Sequence, residues 1–257
     1  MPTHTTSTAP LFFYTATTPS GRRASVGLEE FKAAYPDTVN YETRALKMYT
    51  PDGQNEQKED WYLQINPNGR IPAMVDRTAD DFVVVESAAI LLYLARKFDT
   101  ERNFSFDPVK EVKECSELEQ WIFFAHGGLA PTSGLVWIFN NFFKQYKDEK
   151  MHGAACEWAI GQTRTYLGVL NTRLEGRDYL VGQGRGKFTI ADMNVYAWVA
   201  AASWSGIPTL DEFPNLKVLL DEAQFKMTLT RRSQAWFECV SARPAVQAGM
   251  NVPPNTW

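Results

Sequence analysis

Hydrophobic and polar positions follow two different periods along the first hundred residues. "LFFYTA", Leu11 to Ala16, is a short apolar and aromatic run, the mark of a buried strand. "TTPSGRRASVGLEEFKAAY" follows and predicts a helix with Val26, Leu28 and Phe31 inside it. Proline is favoured at the first helical position, so Thr18, standing before Pro19, reads as the N-cap. "NYETRAL", Asn40 to Leu46, suits a second strand, and "NEQKEDWYLQI" predicts a short helix stopped by Asn66-Pro67. "IPAMVD" and "FVVVE" predict two strands joined by the polar turn "RTADD", a hairpin. "SAAILLYLARKF", Ser87 to Phe98, predicts a helix with Ile90, Leu91, Leu94 and Phe98 on one side.

The order strand, helix, strand, helix, strand, strand, helix leads parallel units into an antiparallel hairpin. That order suits a thioredoxin-like α/β sandwich over residues 11–98, behind a flexible tail at 1–10. "DTERNFSFDP", residues 99–108, reads as a linker. Past Pro108 no strand pattern stands out. "KEVKECSELEQWIFFAHG" and "QTRTYLGVLNTRLEG" carry helical periodicity, so 109–257 is expected to be an all-helical domain. "FTIADMNVYAWVAAA" holds a sharper signal, Thr189-x-x-Asp192 before an apolar run. This is a capping box with an acidic partner, which satisfies two backbone amides reciprocally.

Charge and composition narrow the function. The net charge is −4, with Lys and Arg spread along the chain, which argues against a nucleic-acid binder. No apolar run is expected to reach the ~18–20 residues of a membrane helix. The polar start "MPTHTTSTAP" lacks the basic and apolar regions of a secretion signal. Three cysteines, Cys115, Cys156 and Cys239, are far apart and form no CxxC pair, which fits a reducing, cytoplasmic setting. The histidines His4, His126 and His152 show no ligand spacing, so no metal site is expected.

Six segments then bear on identity: "TPSGRR", "INPNGRIPAMVD", "VESAAILLYLARKF", "WIFFAHGGLAP", "GRDYLVGQGRGKFTIADMNVYAWV" and "ARPAVQAG". In that order, over nearly the whole chain, they resemble the soluble glutathione transferases. The resemblance is to the fungal class related to the yeast nitrogen-repression regulator and its bacterial Nu-class relatives. It implies a thioredoxin-like glutathione-binding domain followed by an all-α domain, and a cytoplasmic homodimer. It implies glutathione as co-substrate and a hydrophobic small-molecule electrophile as partner. The chemistry would be conjugation or reduction of glutathione-linked disulfides, with a non-catalytic ligand-binding protein as the alternative.

The resemblance also implies site residues. The proline matching Pro72 is cis, and the turn presents the backbone of Ile71, beside Arg70, to glutathione as a short added strand. Glu86 takes the γ-glutamyl ammonium, and Ser87, at a helix start, takes its carboxylate. Thr18 and Ser20 are the residues nearest the sulfur. The usual family text there is T-P-N-G; this chain has "TPSG", so a shorter hydroxyl replaces an amide. Likewise "ESAA" replaces E-S/T-G-A. Trp121, Phe124 and Trp137, with Phe139 and Phe142, would line the electrophile pocket. The basic residue by which relatives reach glutathione across the dimer has no secure equivalent in "EWAIGQTRTY". Read from the residues alone, Pro72 is equally a strand-start proline, Ser87 and Thr18 are helix caps, Ser20 is a first-turn polar residue and the aromatics are helix core. Tyr14 reads as packing, and His126 as a satisfied histidine.

Residues 218–234, "VLLDEAQFKMTLTRRSQ", are an atypical insertion. Without them "FPNLK" joins "AWFECVSARPAVQAG" as one amphipathic helix. Every valine codon begins GT and glutamine can be CAG, matching the ends of a typical intron. The segment therefore reads as a retained intron or gene-model error, beside the plainer reading of a tolerated surface insertion. Transcript sequencing is expected to find a spliced form lacking these codons. Peptides of the native protein covering Phe225 to Arg231 would rule the intron out.

Overall fold

A parallel pair starts the sheet: β1 (Leu11–Thr15) and β2 (Tyr41–Ala45), connected through α1 (Pro19–Ala34). β3 (Ala73–Asp76) runs antiparallel to β1, and β4 (Phe82–Val85) antiparallel to β3, giving the order β2-β1-β3-β4. Side chains of β1 alternate between faces. Phe12 and Tyr14 join Leu46, Tyr62, Ala73 and Val75 in one buried cluster. Leu11 and Phe13 are buried on the opposite face. The helices α1 and α3 (Ser87–Phe98) bury the residues their periodicity selected, Val26, Leu28 and Phe31 in one and Ile90, Leu91, Leu94 and Phe98 in the other. Gly27 sets how close they come: a Cβ there would stand 2.2 Å from Leu91 Cδ2. This is the expected thioredoxin-like layer.

The computed structural model describes residues 9–50, 53–143, 149–216 and 236–254. The first eight residues of the expected tail, and the whole insertion 218–234, lie outside the described residues. Two local expectations change. The stretch from Asn55 to Ile65 is not one helix but a 3₁₀ turn, Glu56–Lys58, and a four-residue helix, α2 (Asp60–Leu63). Glu59 separates them in an extended conformation, φ −77° and ψ 149°. The hairpin turn contains a 3₁₀ turn, Arg77–Ala79, closed by Asp80 and Asp81 at φ 53° and 55°. Aspartate is among the few residues enriched in that left-handed region.

Below β3 the carboxylate of Asp76 is fully buried and accepts from Thr78 N–H (2.9 Å), Thr78 Oγ1 (2.7 Å), Tyr93 Oη (2.8 Å) and Lys97 Nζ. Burial raises its pKa, but the Lys97, Thr78 and Tyr93 bonds outweigh burial and leave it below its ordinary value.

The chain divides into two compact units, residues 1–105 with 244–257, and residues 106–243. The second unit is helical, as expected: α4 (Val112–Phe124), a π turn Ala125–Leu129, α5 (Ala130–Ile138), a π turn Phe139–Phe143, α6 (Glu149–Arg173), α7 (Ile190–Ala200) and α8 (Trp236–Ser241). Pro131 has no N–H for the preceding turn, and the π turn stands just ahead of it. Asn194 of α7 donates Nδ2–H to Ile122 O at 3.1 Å beside that turn. The stretch Val112–Asn141 is long and apolar enough to cross a membrane by length and composition, against expectation. Residues 121–138 carry no Asp, Glu, Lys or Arg, a run masked in the text by Gly, Pro, Ser, Thr and His. Ile122, Ala125, Leu129 and Val136 are buried within the helical unit, as in a core helix. The last helix, α9 (Pro244–Met250), belongs to the first unit and packs on α1.

The capping box forms as read. Asp192 is fully buried; its Oδ2 accepts from Thr189 N–H (2.9 Å) and Oγ1 (3.2 Å), its Oδ1 from Leu180 N–H (3.0 Å) and Trp236 Nε1–H (2.8 Å). Burial pushes the carboxyl up to about 6, and the four donors pull against it. Asp192→Ala would strand three buried N–H groups, so urea unfolding is expected to show a loss of about 3 kcal/mol or more. For Asp76 the depressed pKa fixes the sign. Its contribution is present above the unfolded value of about 4 and is lost as pH falls through the folded value. The stability gap between wild type and Lys97→Met is therefore expected at neutral pH and should close in acid below about pH 4.

Candidate functional site

Register brings three segments of the first unit to one edge of the sheet. Tyr14 pairs with Ala73, and Ala73 with Val85. The exit of β1, the entry of β3 and the exit of β4 therefore lie side by side. From them run the start of α1, the Asn66–Pro72 turn and the start of α3. Ligands of α/β sheets bind at such an edge.

At the first, Thr18 is extended (φ −132°, ψ 157°) and its Oγ1 accepts the Gly21 N–H at 3.1 Å, with Pro19 at the first helical position. A hydroxyl carries one donor besides its acceptor pairs. The proton of Thr18 is used by no bond among the described residues. Gly21 has to be glycine: a Cβ would lie 2.4 Å from Ala16 O and 2.5 Å from Thr15 Oγ1. Ser20 is half-buried in the same turn, its hydroxyl also unbonded among the described residues. Tyr14 is buried against Phe12, Trp61 and Tyr62, and burial pushes its phenol above the ordinary value. It packs, as read.

At the second, the Ile71–Pro72 bond is cis. The preceding carbonyl, Arg70 O, is held by Tyr62 Oη–H (2.8 Å) and Asn66 Nδ2–H (2.7 Å). The Arg70 side chain is exposed. Among the described residues no hydrogen bond reaches the backbone of Ile71. Gln57, not selected from the sequence, belongs here. It is 1% exposed, its backbone O lies 2.7 Å from where a Cβ on Gly69 would stand, and its Oε1 is buried without a partner. Its Nε2 donates to Asn55 Oδ1 at 3.3 Å. A glutamine inside the polar text "NEQKED" gives no pattern that would single it out; only its burial does.

At the third, Glu86 is exposed with φ 69°, a left-handed conformation rare for a side-chain-bearing residue. It, and not Ser87, is the N-cap of α3, and it makes no side-chain cap. Ser87 is the first helical residue, buried, its hydroxyl unbonded among the described residues. The start of α3 thus offers amides without a side-chain cap beside a carboxylate. Under it Arg23 of α1 is 1% exposed; burial pulls its guanidinium down to about 9, with the Glu86 charge acting against that.

In the second unit Trp121 and Phe124 stand edge-on at 5.1 Å, and Phe124 meets Tyr166 at 5.2 Å. Gly128 makes room for Tyr166, whose Cε1 would lie 2.3 Å from a Cβ there. All three rings are half-exposed. Trp137 and Phe139 lie beyond the first π turn, half-exposed, and the Phe142 side chain is outside the described residues. Tyr166 was not selected from the text; its place opposite Gly128 is a tertiary fact. His126 is half-buried in the π turn. All three cysteines are free and belong to the second unit; burial raises the Cys156 thiol, and burial with Asp178 and Glu238 raises Cys239 to about 11. Among the described residues no group of three or more His, Cys, Asp or Glu could hold a metal.

Comparison with known proteins agrees with this geometry. The family model of the glutathione S-transferase N-terminal domain matches residues 33–96, and that of the C-terminal domain residues 142–223. Glutathione S-transferase 1 of Schizosaccharomyces pombe is 34% identical over 216 residues, 82% of this chain and 84% of that protein. The disulfide-bond oxidoreductase YghU of Escherichia coli is 30% identical over 241 residues, 93% of this chain and 74% of that one. The solved structure of Ure2p in complex with glutathione superposes with a TM-score of 0.72 at 25% identity, covering 95% of this chain and 99% of its own. The chain belongs to the glutathione S-transferase family and is related to Ure2p.

Proposed function

We propose that the protein is a glutathione transferase whose first unit binds glutathione and stabilises its thiolate. The observation that carries this reading is the meeting, at one sheet edge, of an unbonded Ile71 backbone, an α3 start without a side-chain cap and the unused Thr18 proton. The peptide backbone of glutathione pairs with Ile71 as an added strand, next to Pro72 and within reach of Arg70. The γ-glutamyl carboxylate takes the Ser87 hydroxyl and the first amides of α3, and Glu86 takes the ammonium. Gln57, with its buried unpartnered Oε1, accepts an N–H from the far end of the tripeptide.

A free thiol has a pKa of about 8.5, and moving it down two units requires about 2.7 kcal/mol of preference for the anion. One hydrogen bond to a charged group supplies about 1.5–3 kcal/mol, and a helix N-terminus about 0.3–1 kcal/mol. Thr18 Oγ1–H, or the Ser20 hydroxyl, at the start of α1 therefore suffices. The thiolate then attacks an electrophile, or one sulfur of a glutathione-linked disulfide. In the second case the thiolate bonds to the glutathione sulfur of that disulfide, the other half leaves as a thiolate that takes a proton from water, and the product is oxidised glutathione. No protein cysteine is needed, in keeping with the raised thiols of Cys156 and Cys239, which belong to the second unit. The names of the relatives, one a transferase and one a disulfide-bond oxidoreductase, support both routes.

Trp121, Phe124 and Trp137 supply an aromatic wall for a hydrophobic electrophile. The protein works as a cytoplasmic homodimer; the exposed Phe82 of the edge strand β4, its ring tilted 5.8 Å from that of Tyr93 in α3, is a surface suited to a second copy. A second reading, a ligand-binding protein without turnover, is favoured by Ser20 standing where the family text has Asn.

The test is the pKa of bound glutathione, from ultraviolet thiolate absorbance across pH. Wild type is expected to depress it by one to two units, roughly ten- to hundredfold in the thiolate-to-thiol ratio. Thr18→Val is expected to restore most of the free value and Ser20→Ala less. Tight binding with an unshifted pKa would favour the ligand-binding protein.

A further inference from the structure

Residues after Pro244 complete the unit that carries the candidate site. The contact of α9 with α1 is backbone against backbone. A Cβ on Gly249 would lie 2.4 Å from Val26 Cα, 2.7 Å from Val26 N and 2.8 Å from Ser25 O, so only glycine fits without a shift. Val246, on the same helix, is fully buried. Across this contact Ser25, itself fully buried, donates Oγ–H to Gly249 O at 2.7 Å. Ser25 Oγ also lies 3.1 Å from Arg22 O and 3.3 Å from Gly21 O. A hydroxyl has one proton, and the shortest of the three approaches is the one that leaves α1 for α9.

One turn closer to the sheet edge, Gly21 presses against Ala16 O and Thr15 Oγ1 while its N–H holds Thr18 Oγ1. The first two turns of α1 are therefore gripped twice, by the end of β1 and by α9. The two candidate thiol donors, Thr18 and Ser20, sit at the free tip of this gripped segment.

We infer that Ser25 and Gly249 are positioning residues for the thiol site: the chain's last helix fixes α1 so that the Thr18 and Ser20 hydroxyls stand at hydrogen-bonding distance from the sulfur. The inference rests on the glutathione reading above. Its physical basis is the steepness of hydrogen bonds in distance and angle. A misplacement of about 1 Å, even by a change remote from the chemistry, can cost about a hundredfold.

The experiment follows bound-thiolate absorbance across pH, glutathione affinity by calorimetry and thermal unfolding, for wild type, Ser25→Ala and Gly249→Ala. Gly249→Ala pushes a methyl into the Val26 backbone; Ser25→Ala removes the crossing bond with no added bulk. Both are expected to raise the pKa of bound glutathione by half a unit or more, about threefold in the thiolate-to-thiol ratio at a given pH. Gly249→Ala should have the larger effect. Affinity should change less than the thiolate fraction, because neither residue touches glutathione. A loss of thermal stability alone would leave the pH profile in place. Should Gly249→Ala fail to fold, Ser25→Ala decides. A wild-type depression that survives unchanged in the folded variants overturns this inference and leaves the glutathione reading standing. A wild type that leaves the thiol unshifted overturns both.

Discussion

The antiparallel register that sets Ala73 between Tyr14 and Val85 is the constraint on which the candidate site depends. Side chains in a strand have a period of two, so a slip of one residue would turn Phe12, Tyr14 and Val75 out of their cluster. It would also carry Ile71 away from the starts of α1 and α3. Core and site are thus specified by one pairing. The hydrophobic content of three short strands fixes where a peptide backbone, a helix start and a hydroxyl meet.

The backbone also leaves ordinary conformations at that edge. Glu86 holds φ 69° and Gly69 holds φ 59°. Such conformations last only where surroundings over-determine them. The surroundings are visible: Tyr62 and Asn66 hold the Arg70 carbonyl, Gln57 and Lys58 crowd Gly69, and the fully buried Arg23 lies beneath Glu86. The unit places its cost in stability where it gains presented polar groups. The second unit makes the opposite choice at Asp192, where every buried oxygen is met by donors and nothing is left for a ligand.

Much of this was legible in the text. Thr18-Pro19 and the spacing of Val26, Leu28 and Phe31 announce α1; Thr189-x-x-Asp192 announces α7. Both are local signals of caps and period, and both formed as read. The short helix before Asn66 was misjudged because one extended residue, Glu59, splits it. The long uncharged helix was missed because Gly, Pro and Ser masked it. Gln57, Tyr166 and the Ser25–Gly249 contact were invisible for a different reason. Each is defined by a neighbour distant in sequence, Gly69, Gly128 or α9, and no local pattern encodes such a meeting.

The placement of sulfur has a consequence for how the protein would meet disulfides. Thiol–disulfide exchange needs a thiolate, and its rate falls as the thiolate fraction falls. Burial favours the thiol form of Cys156 and Cys239, and the candidate site at the sheet edge is built with no cysteine at all. On the glutathione reading, a pool of oxidised glutathione would meet no cysteine at the site where it docks. On that reading its sulfur chemistry would be borrowed, arriving with each ligand and leaving with it.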